Sequence, residues 1–307
     1  MPLPVLVVGP LAYDDVRTPA GQRTDVLGGS AAYASIAAAK YAHTGLVSVA
    51  GTDLRDDDLR LLRRVGVDVR GVERRDGRTL RWSGSYADSF ARSEVGNTDL
   101  GVVAGWEPRI PESFRDARRV FLANTDPRVQ REALDQLTPV VVLLDTMEQW
   151  ISEERSSLDQ LIGRATVLSV NARELAMIAG HDDAAHAAAA VLDRGTRAVI
   201  VKHGAAGATL YTSGATLTVP AYPATVVDPT GAGDALAGAF LGRLAELGSL
   251  DGATLRDALA HGVAAASAAL ESFGVDALAR ADRRELERRV AWVRSGTGQG
   301  GSLYEER

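Results

Sequence analysis

The residues with the clearest capacity for chemistry are the seven from Asp228 to Asp234, in the order Asp-Pro-Thr-Gly-Ala-Gly-Asp. Val226 and Val227 before them read as the end of a strand. Leu236, Phe240, Leu244 and Leu247 after them recur at helical spacing, so a helix is expected to begin near Asp234. Small residues at Gly231, Ala232 and Gly233 let backbone N–H groups turn toward an anion, and the helix N-terminus adds partial positive charge. A carboxylate at that point would repel a phosphate at rest. It makes chemical sense if Asp234 takes the proton from an attacking hydroxyl while the N–H groups of 231–233 stabilise a phosphoryl group in transfer.

Positioning such a turn requires a rigid scaffold, and the pattern of apolar runs supplies one. Val5–Val8, Leu46–Val49, Val120–Leu122, Val140–Leu144, Val167–Val170 and Val199–Val201 read as buried parallel strands. Between them 31–42, 56–65, 129–137, 156–163, 172–178 and 184–193 read as helices, strands are expected again at 207–212 and 216–219, and the last third is helical. Alternation of this kind predicts an α/β fold with a mostly parallel central sheet between two helical layers, where ligands collect at the carboxyl ends of the strands. Two segments break the rhythm. Polar-apolar alternation at 16–26 and 70–90, with Asp76-Gly77 as a hairpin signal, predicts a small separate sheet, functional or merely a solvated surface hairpin.

Composition narrows the function. The 307-residue chain carries a net charge of −6 with its basic residues scattered, so neither nucleic acid nor an anionic membrane is expected as a partner. The N-terminus lacks a signal-peptide pattern, no apolar run reaches membrane-spanning length, and there is no cysteine, which together predict a cytoplasmic protein whose catalyst is not a thiol. No GxGxxG follows the first strand, which argues against a dinucleotide-dependent dehydrogenase.

The stretch 228–234 closely resembles the second signature of the PfkB carbohydrate kinases, the ribokinase-like family, whose GAGD tetrapeptide forms an anion hole with its Asp as catalytic base. The resemblance implies a three-layer αβα ribokinase-like fold with a small β-sheet lid over the acceptor, and an ATP-dependent kinase with Mg2+ acting on a hydroxymethyl oxygen of a sugar or sugar-like alcohol. A nucleoside kinase of the same fold and a non-catalytic sensor of nucleotide or sugar are the alternatives. The corresponding partition is a core of 1–10, 28–68 and 105–295, a lid of 11–27 and 69–104, and a flexible tail of 296–307. By analogy a homodimer through the lid is expected.

Further positions follow from the same likeness. Asp14 lies five residues after Gly9, at the spacing of the family's sugar-binding Asp, and Gly28-Gly29 matches its diglycine, which otherwise reads as tight packing of an Ala-rich helix or as room for a ligand to approach the backbone. Tyr33 stands where many members carry a sugar-contacting Asn, which disfavours simple ribose in the usual pose. Asn124 and Asp145, just past strands, are plausible ligand contacts or helix caps. Asn171 and Glu174 form a helix-capping pattern and also match the NxxE motif, where Glu supports the hydration shell of Mg2+. Lys202, Gly204 and Gly207 resemble the nucleotide loop; Lys202, one of only two lysines, would pair with a phosphate or snorkel to solvent. Val263 is placed at the adenine wall, with His261 opening its helix in a packing role, and Asp228 with Thr230 near a monovalent cation, K+.

Overall fold

The computed structural model describes residues 3–87 and 93–296, without the side chains of 93–95. Its first half runs β1 (Val5–Val8), β2 (Ala12–Thr18), β3 (Gly21–Gly28), α1 (Ser30–Ala39), β4 (Thr44–Gly51), α2 (Asp56–Arg64), β5 (Val67–Arg75), β6 (Leu80–Tyr86) and β7 (Ser93–Asp99). There follow β8 (Arg119–Leu122), α3 (Pro127–Leu134), β9 (Val141–Asp145), α4 (Glu148–Glu153), α5 (Arg155–Ile162), β10 (Val167–Asn171), α6 (Ala172–Ala179), α7 (Ala184–Leu192) and β11 (Ala198–Lys202). The chain continues through β12 (Ala208–Tyr211), β13 (Thr216–Val219), α8 (Ala232–Leu247), α9 (Gly252–Ala269), α10 (Asp276–Arg280) and α11 (Arg283–Gly296).

Nine strands form one sheet in the order β13-β12-β11-β10-β9-β8-β1-β4-β5, antiparallel only at β12 and β13. Side chains alternate between its faces, and the two buried clusters follow that alternation: Val141, Leu143, Val167 and Ile200 pack with α1, α8, α9 and α11, whereas Val142, Leu144, Leu168 and Val199 pack with α3, α5, α6 and α7. The result is the three-layer arrangement predicted from the apolar runs. α1 and α8 carry Ala and Gly where they meet because the backbones touch: a Cβ on Gly238 would lie 2.2 Å from the Ala34 carbonyl oxygen.

The second sheet, β3-β2-β6-β7, has four strands, with β2 and β6 parallel and the outer pairs antiparallel. Its extent corrects the expected one. Residues 70–75 belong to β5, which pairs with β4 in the main sheet up to Gly51 opposite Arg75, so the lid boundary at 69 moves to the residues after Arg75. β5 is an edge strand exposed on one side, and such a strand shows the same alternation as a lid strand. Asp76-Gly77 accordingly joins strands of two different sheets instead of closing a hairpin. Gly296 ends α11 and is helical; 297–307, and 88–92 within the expected lid, lie outside the described residues.

The lid is tied to the core by polar contacts. Asp53 accepts from Thr79 N and Thr79 Oγ1 at 2.7 Å each and from the Arg81 guanidinium at 2.8 Å. Thr18 Oγ1 donates to the Val227 carbonyl at 2.8 Å, and the hydroxyls of Tyr86 and Thr230 meet at 3.1 Å. Those last two contacts join both halves of the lid to the loop that carries the Gly-rich turn.

Candidate active site

Residues 220–230 form no strand, contrary to the reading of Val226 and Val227. Pro220, Pro223 and Pro229 remove donors, and the N–H groups of Val227 and Asp228 instead both donate to the Leu270 carbonyl, at 2.8 and 3.1 Å. α8 then begins two residues earlier than expected. Gly231 is its N-cap at φ 74°, a left-handed conformation, and a Cβ there would strike the Tyr33 ring at 2.2 Å. Asp234 sits in the first turn of α8, and its Oδ1 is buried without a hydrogen-bond partner among the described residues. Burial, with Asp145 nearby, pushes its carboxyl up to about 7 against the opposing pull of Lys202. A carboxylate poised near neutrality with one unengaged oxygen is suited to receive a proton.

Strand alternation assembles the neighbours of Asp234. On β9, β10 and β11, Asp145, Ser169 and Lys202 extend the same side-chain rows as Leu143, Val167 and Ile200, the face that α8 covers. Lys202 reaches across the end of β10, and its Nζ lies 3.1 Å from Asp145 Oδ1, with the carboxylate 6 % and the lysine side chain 19 % exposed. Burial alone would depress the Lys202 amine, but Asp145, Glu174 and Asp234 outweigh it and hold the group above its ordinary range. Snorkelling is therefore excluded. Asn171 and Glu174 form the reciprocal cap expected, Asn171 Oδ1 accepting from Glu174 N and Glu174 Oε2 from Asn171 N, both at 2.8 Å. Glu174 is nevertheless pushed up to about 7 by burial, with Lys202 opposing. Among the described residues no group of three or more His, Asp or Glu side chains is placed to hold a metal ion. Direct ligands for Mg2+ at this place would come from nucleotide oxygens and water, which fits Glu174 as a support held back from the ion.

Asp234 opens onto a cavity of about 790 Å³ that is also lined by Asp14, Gly29, Tyr33, Asn124 and Gly231. The expected acceptor residues are thus brought together, with one change in how the diglycine works. A Cβ on Gly28 would lie 1.9 Å from Asp14 Oδ2, and one on Gly29, at φ 85°, 2.6 Å from the Pro10 carbonyl. What approaches Gly28 is the Asp14 carboxylate, not a ligand. Asp14 is 3 % exposed and pushed up to about 8, by burial first and then by Asp228, although the Gly29 N–H stabilises its charge. Among the described residues the Tyr33 hydroxyl and Asn124 Oδ1 are buried without partners, and Asn124 Nδ2 has only the Met147 sulfur at 3.2 Å.

The other nucleotide-loop residues have partly structural explanations. Gly204 turns at φ 58° with open space around it, but Gly207, at φ 97°, is required by β13, since a Cβ would meet the Val219 carbonyl at 2.1 Å. Val263 is 4 % exposed within the core packed around α9. His261 lies in the middle of α9, not at its start; its Nδ1 contacts the Asp257 carbonyl at 2.7 Å, which fits packing. Asp228, 1 % exposed, accepts from Thr230 N at 2.9 Å and Gly274 N at 3.5 Å, and has no ion-pair partner among the described residues.

Residue-by-residue reading missed the Asp145–Lys202 pair and the joining of Trp82 with Val103, Trp106, Met147 and Trp150 in the lining of one cavity. Only the unusual presence of a lysine hinted at the first. The second draws on three distant segments.

A family profile for pfkB family carbohydrate kinases matches residues 125–281. The chain is 32 % identical over 251 residues to the cytidine kinase of Thermococcus kodakarensis, covering 78 % of this chain and 87 % of that protein. Among solved structures, a nucleoside kinase of Burkholderia thailandensis in complex with inosine superposes with a TM-score of 0.77 at 20 % identity, over 94 % of this chain and 98 % of that one. A putative ribokinase II from E. coli in complex with ATP and Mg2+ superposes with a TM-score of 0.78 at 19 % identity, over 94 % and 99 %. The three-layer core with its small second sheet is thus the fold shared by ribokinase-like kinases.

Proposed function

We propose, from the premise that this chain belongs to the pfkB carbohydrate kinase family and is a kinase of a hydroxyl acceptor, that it transfers the γ-phosphoryl of ATP to the hydroxymethyl oxygen of a nucleoside's pentose. The observation that carries the choice of a nucleoside over a free sugar is the cavity beyond Asp14. Its about 790 Å³ lies within the range of about 300–1,000 Å³ typical of drug-sized ligands, and the half-buried side chains of Trp82, Met147 and Trp150 offer it apolar, aromatic surface suited to a base. The likeness to a cytidine kinase and to an inosine-bound nucleoside kinase supports the same reading.

In this reading Asp14, seated against Gly28 and charge-stabilised by the Gly29 N–H, accepts hydrogen bonds from the pentose hydroxyls, and Tyr33 and Asn124 direct their unengaged polar atoms to the same ligand. Asp234 removes the proton of the primary hydroxyl as its oxygen bonds to the γ-phosphorus. The bond to the β,γ-bridging oxygen breaks, ADP leaves, and the N–H groups of 231–233 hold the equatorial oxygens. Lys202, Gly204 and Thr230 face the phosphates, Gly207 shapes their loop from behind, and Val263 backs the adenine side from within the core. Mg2+, supported through water by Glu174 with Asn171, would neutralise charge on the β- and γ-oxygens. A K+ ion beside Asp228 and Thr230 belongs to the same proposal, favoured by a buried carboxylate without an ion pair among the described residues.

The test is ADP release over a panel of nucleosides and free pentoses. We expect kcat/KM for the best nucleoside to exceed that for free ribose by at least about 100-fold, the worth of burying a base against aromatic side chains. Equal or better use of a free pentose would leave a sugar kinase as the correct description. The lid's part can be checked separately. Removing the Asp53 carboxylate by Asp53→Ala takes the acceptor from Thr79 and one of two carboxylate partners from Arg81, which keeps Asp25, and should cost about 1–2 kcal/mol of lid docking. The expected outcome in steady-state kinetics is a rise of roughly tenfold in acceptor KM with a smaller change in kcat.

A further inference from the structure

Asp145 lies in the row of side chains that faces α8, and none of the steps above uses it. Its carboxylate is buried, and its observed ionic partner is Lys202. The lysine in turn is held against the phosphate-binding turn: a Cβ on Gly233 would lie 3.2 Å from Lys202 Nζ. Ser169, between the two on β10, has a fully buried hydroxyl that meets no partner among the described residues, so the ammonium bonds past it to Asp145. A lysine side chain has several rotatable bonds and, without an anchor, would sample other positions. With three carboxylates around it, Asp145, Glu174 and Asp234, the ammonium also offsets charge that would otherwise repel an incoming phosphate.

We infer that Asp145 is a positioning residue which holds the Lys202 ammonium beside Gly233, so that the anion-binding turn carries a fixed positive charge for the phosphoryl group. The inference rests on the reading of 231–233 as the phosphoryl site. It makes Asp145 act through Lys202 and on the nucleotide side of the reaction, not by touching the acceptor.

A double-mutant cycle tests it, with Asp145→Asn, Lys202→Met and the double variant compared for kcat, acceptor KM and ATP affinity by calorimetry. Each single change is expected to lower kcat by roughly 10- to 100-fold, with acceptor KM within about twofold of wild type. The double variant should be no worse than Lys202→Met, because Asp145 has no one left to position. A further drop from Lys202→Met to the double variant, or an effect of Asp145→Asn confined to acceptor KM, overturns the inference. Should Asp145→Asn fail to fold, with a buried ammonium unpaired, the comparison of Lys202→Met with the double variant still decides. A wild-type protein that binds ATP but phosphorylates no acceptor would sink the proposed function instead. ATP affinity across the same proteins would then test Asp145, equal affinity in Lys202→Met and the double variant supporting it and a further loss overturning it.

Discussion

Asp234→Asn is expected to retain ATP binding and the fold while lowering kcat by about two to four orders of magnitude, the usual worth of a positioned base. The substitution keeps shape and removes only the ability to take a proton, and the site is already arranged around that ability. Oδ1 has no partner to lose, and burial has raised the carboxyl to about 7. The same shift sets the pH dependence. A base must be deprotonated to act, so kcat should fall as pH drops through about 7 and level off above it. Steady-state rates from pH 5.5 to 9, with nucleotide affinity of the variant from calorimetry, check both statements. Turnover within tenfold of wild type in Asp234→Asn would remove the base from the mechanism.

Asp14→Asn is expected to make the protein more stable and a worse enzyme. In the folded state the Asp14 carboxyl is raised to about 8 from an ordinary 3.8, chiefly by burial. An acid whose pKa rises on folding binds more protons folded than unfolded, so its contribution falls as pH climbs from about 4 and reaches its most unfavourable value above about 8. A shift of that size sets a ceiling of roughly 5–6 kcal/mol, and relaxation around the charge leaves an expected gain of about 1–3 kcal/mol for the amide at pH 8, shrinking toward zero at pH 4. Thermal unfolding of both proteins at the two pH values measures it. At and above pH 8, where the carboxyl is ionised, the acceptor should meanwhile lose charge-assisted hydrogen bonds worth about 1.5–3 kcal/mol each, raising KM by at least about tenfold. A variant less stable than wild type at pH 8, or one with unchanged acceptor KM, contradicts the role given to this carboxylate.

Much of the scaffold was legible because it is written in local pattern. The apolar runs of β1, β9, β10 and β11 fall within one residue of expectation and the expected helices between them within three, with only the short α4 unforeseen, since buried parallel strands need continuous apolar sequence and their crossovers need helical periodicity. The turn at 231–233 was legible for a similar reason: glycine is required at φ 74°, and small residues followed by an Asp mark the first turn of α8 in the sequence itself. The membership of β5 was not legible, because half-buried alternation at 70–75 suits an edge strand of either sheet, and only pairing with β4 decides between them. Nor was the absence of a strand before Asp228, where the decisive fact is that the carbonyl of Leu270, far along the chain, takes the donors of Val227 and Asp228.

By itself, then, the sequence determined the three-layer class, the place of the Gly-rich turn proposed to bind an anion and the carboxylates proposed to serve it, because each depends on residue type and short-range spacing. Tertiary structure alone decided what those groups meet. Gly28 yields its space to Asp14, Lys202 bridges to Asp145 across β10, and Trp82, Trp106 and Trp150 converge on one cavity. Such contacts follow from strand order and from the burial that displaces each ionisation, and neither is encoded in any one stretch of chain.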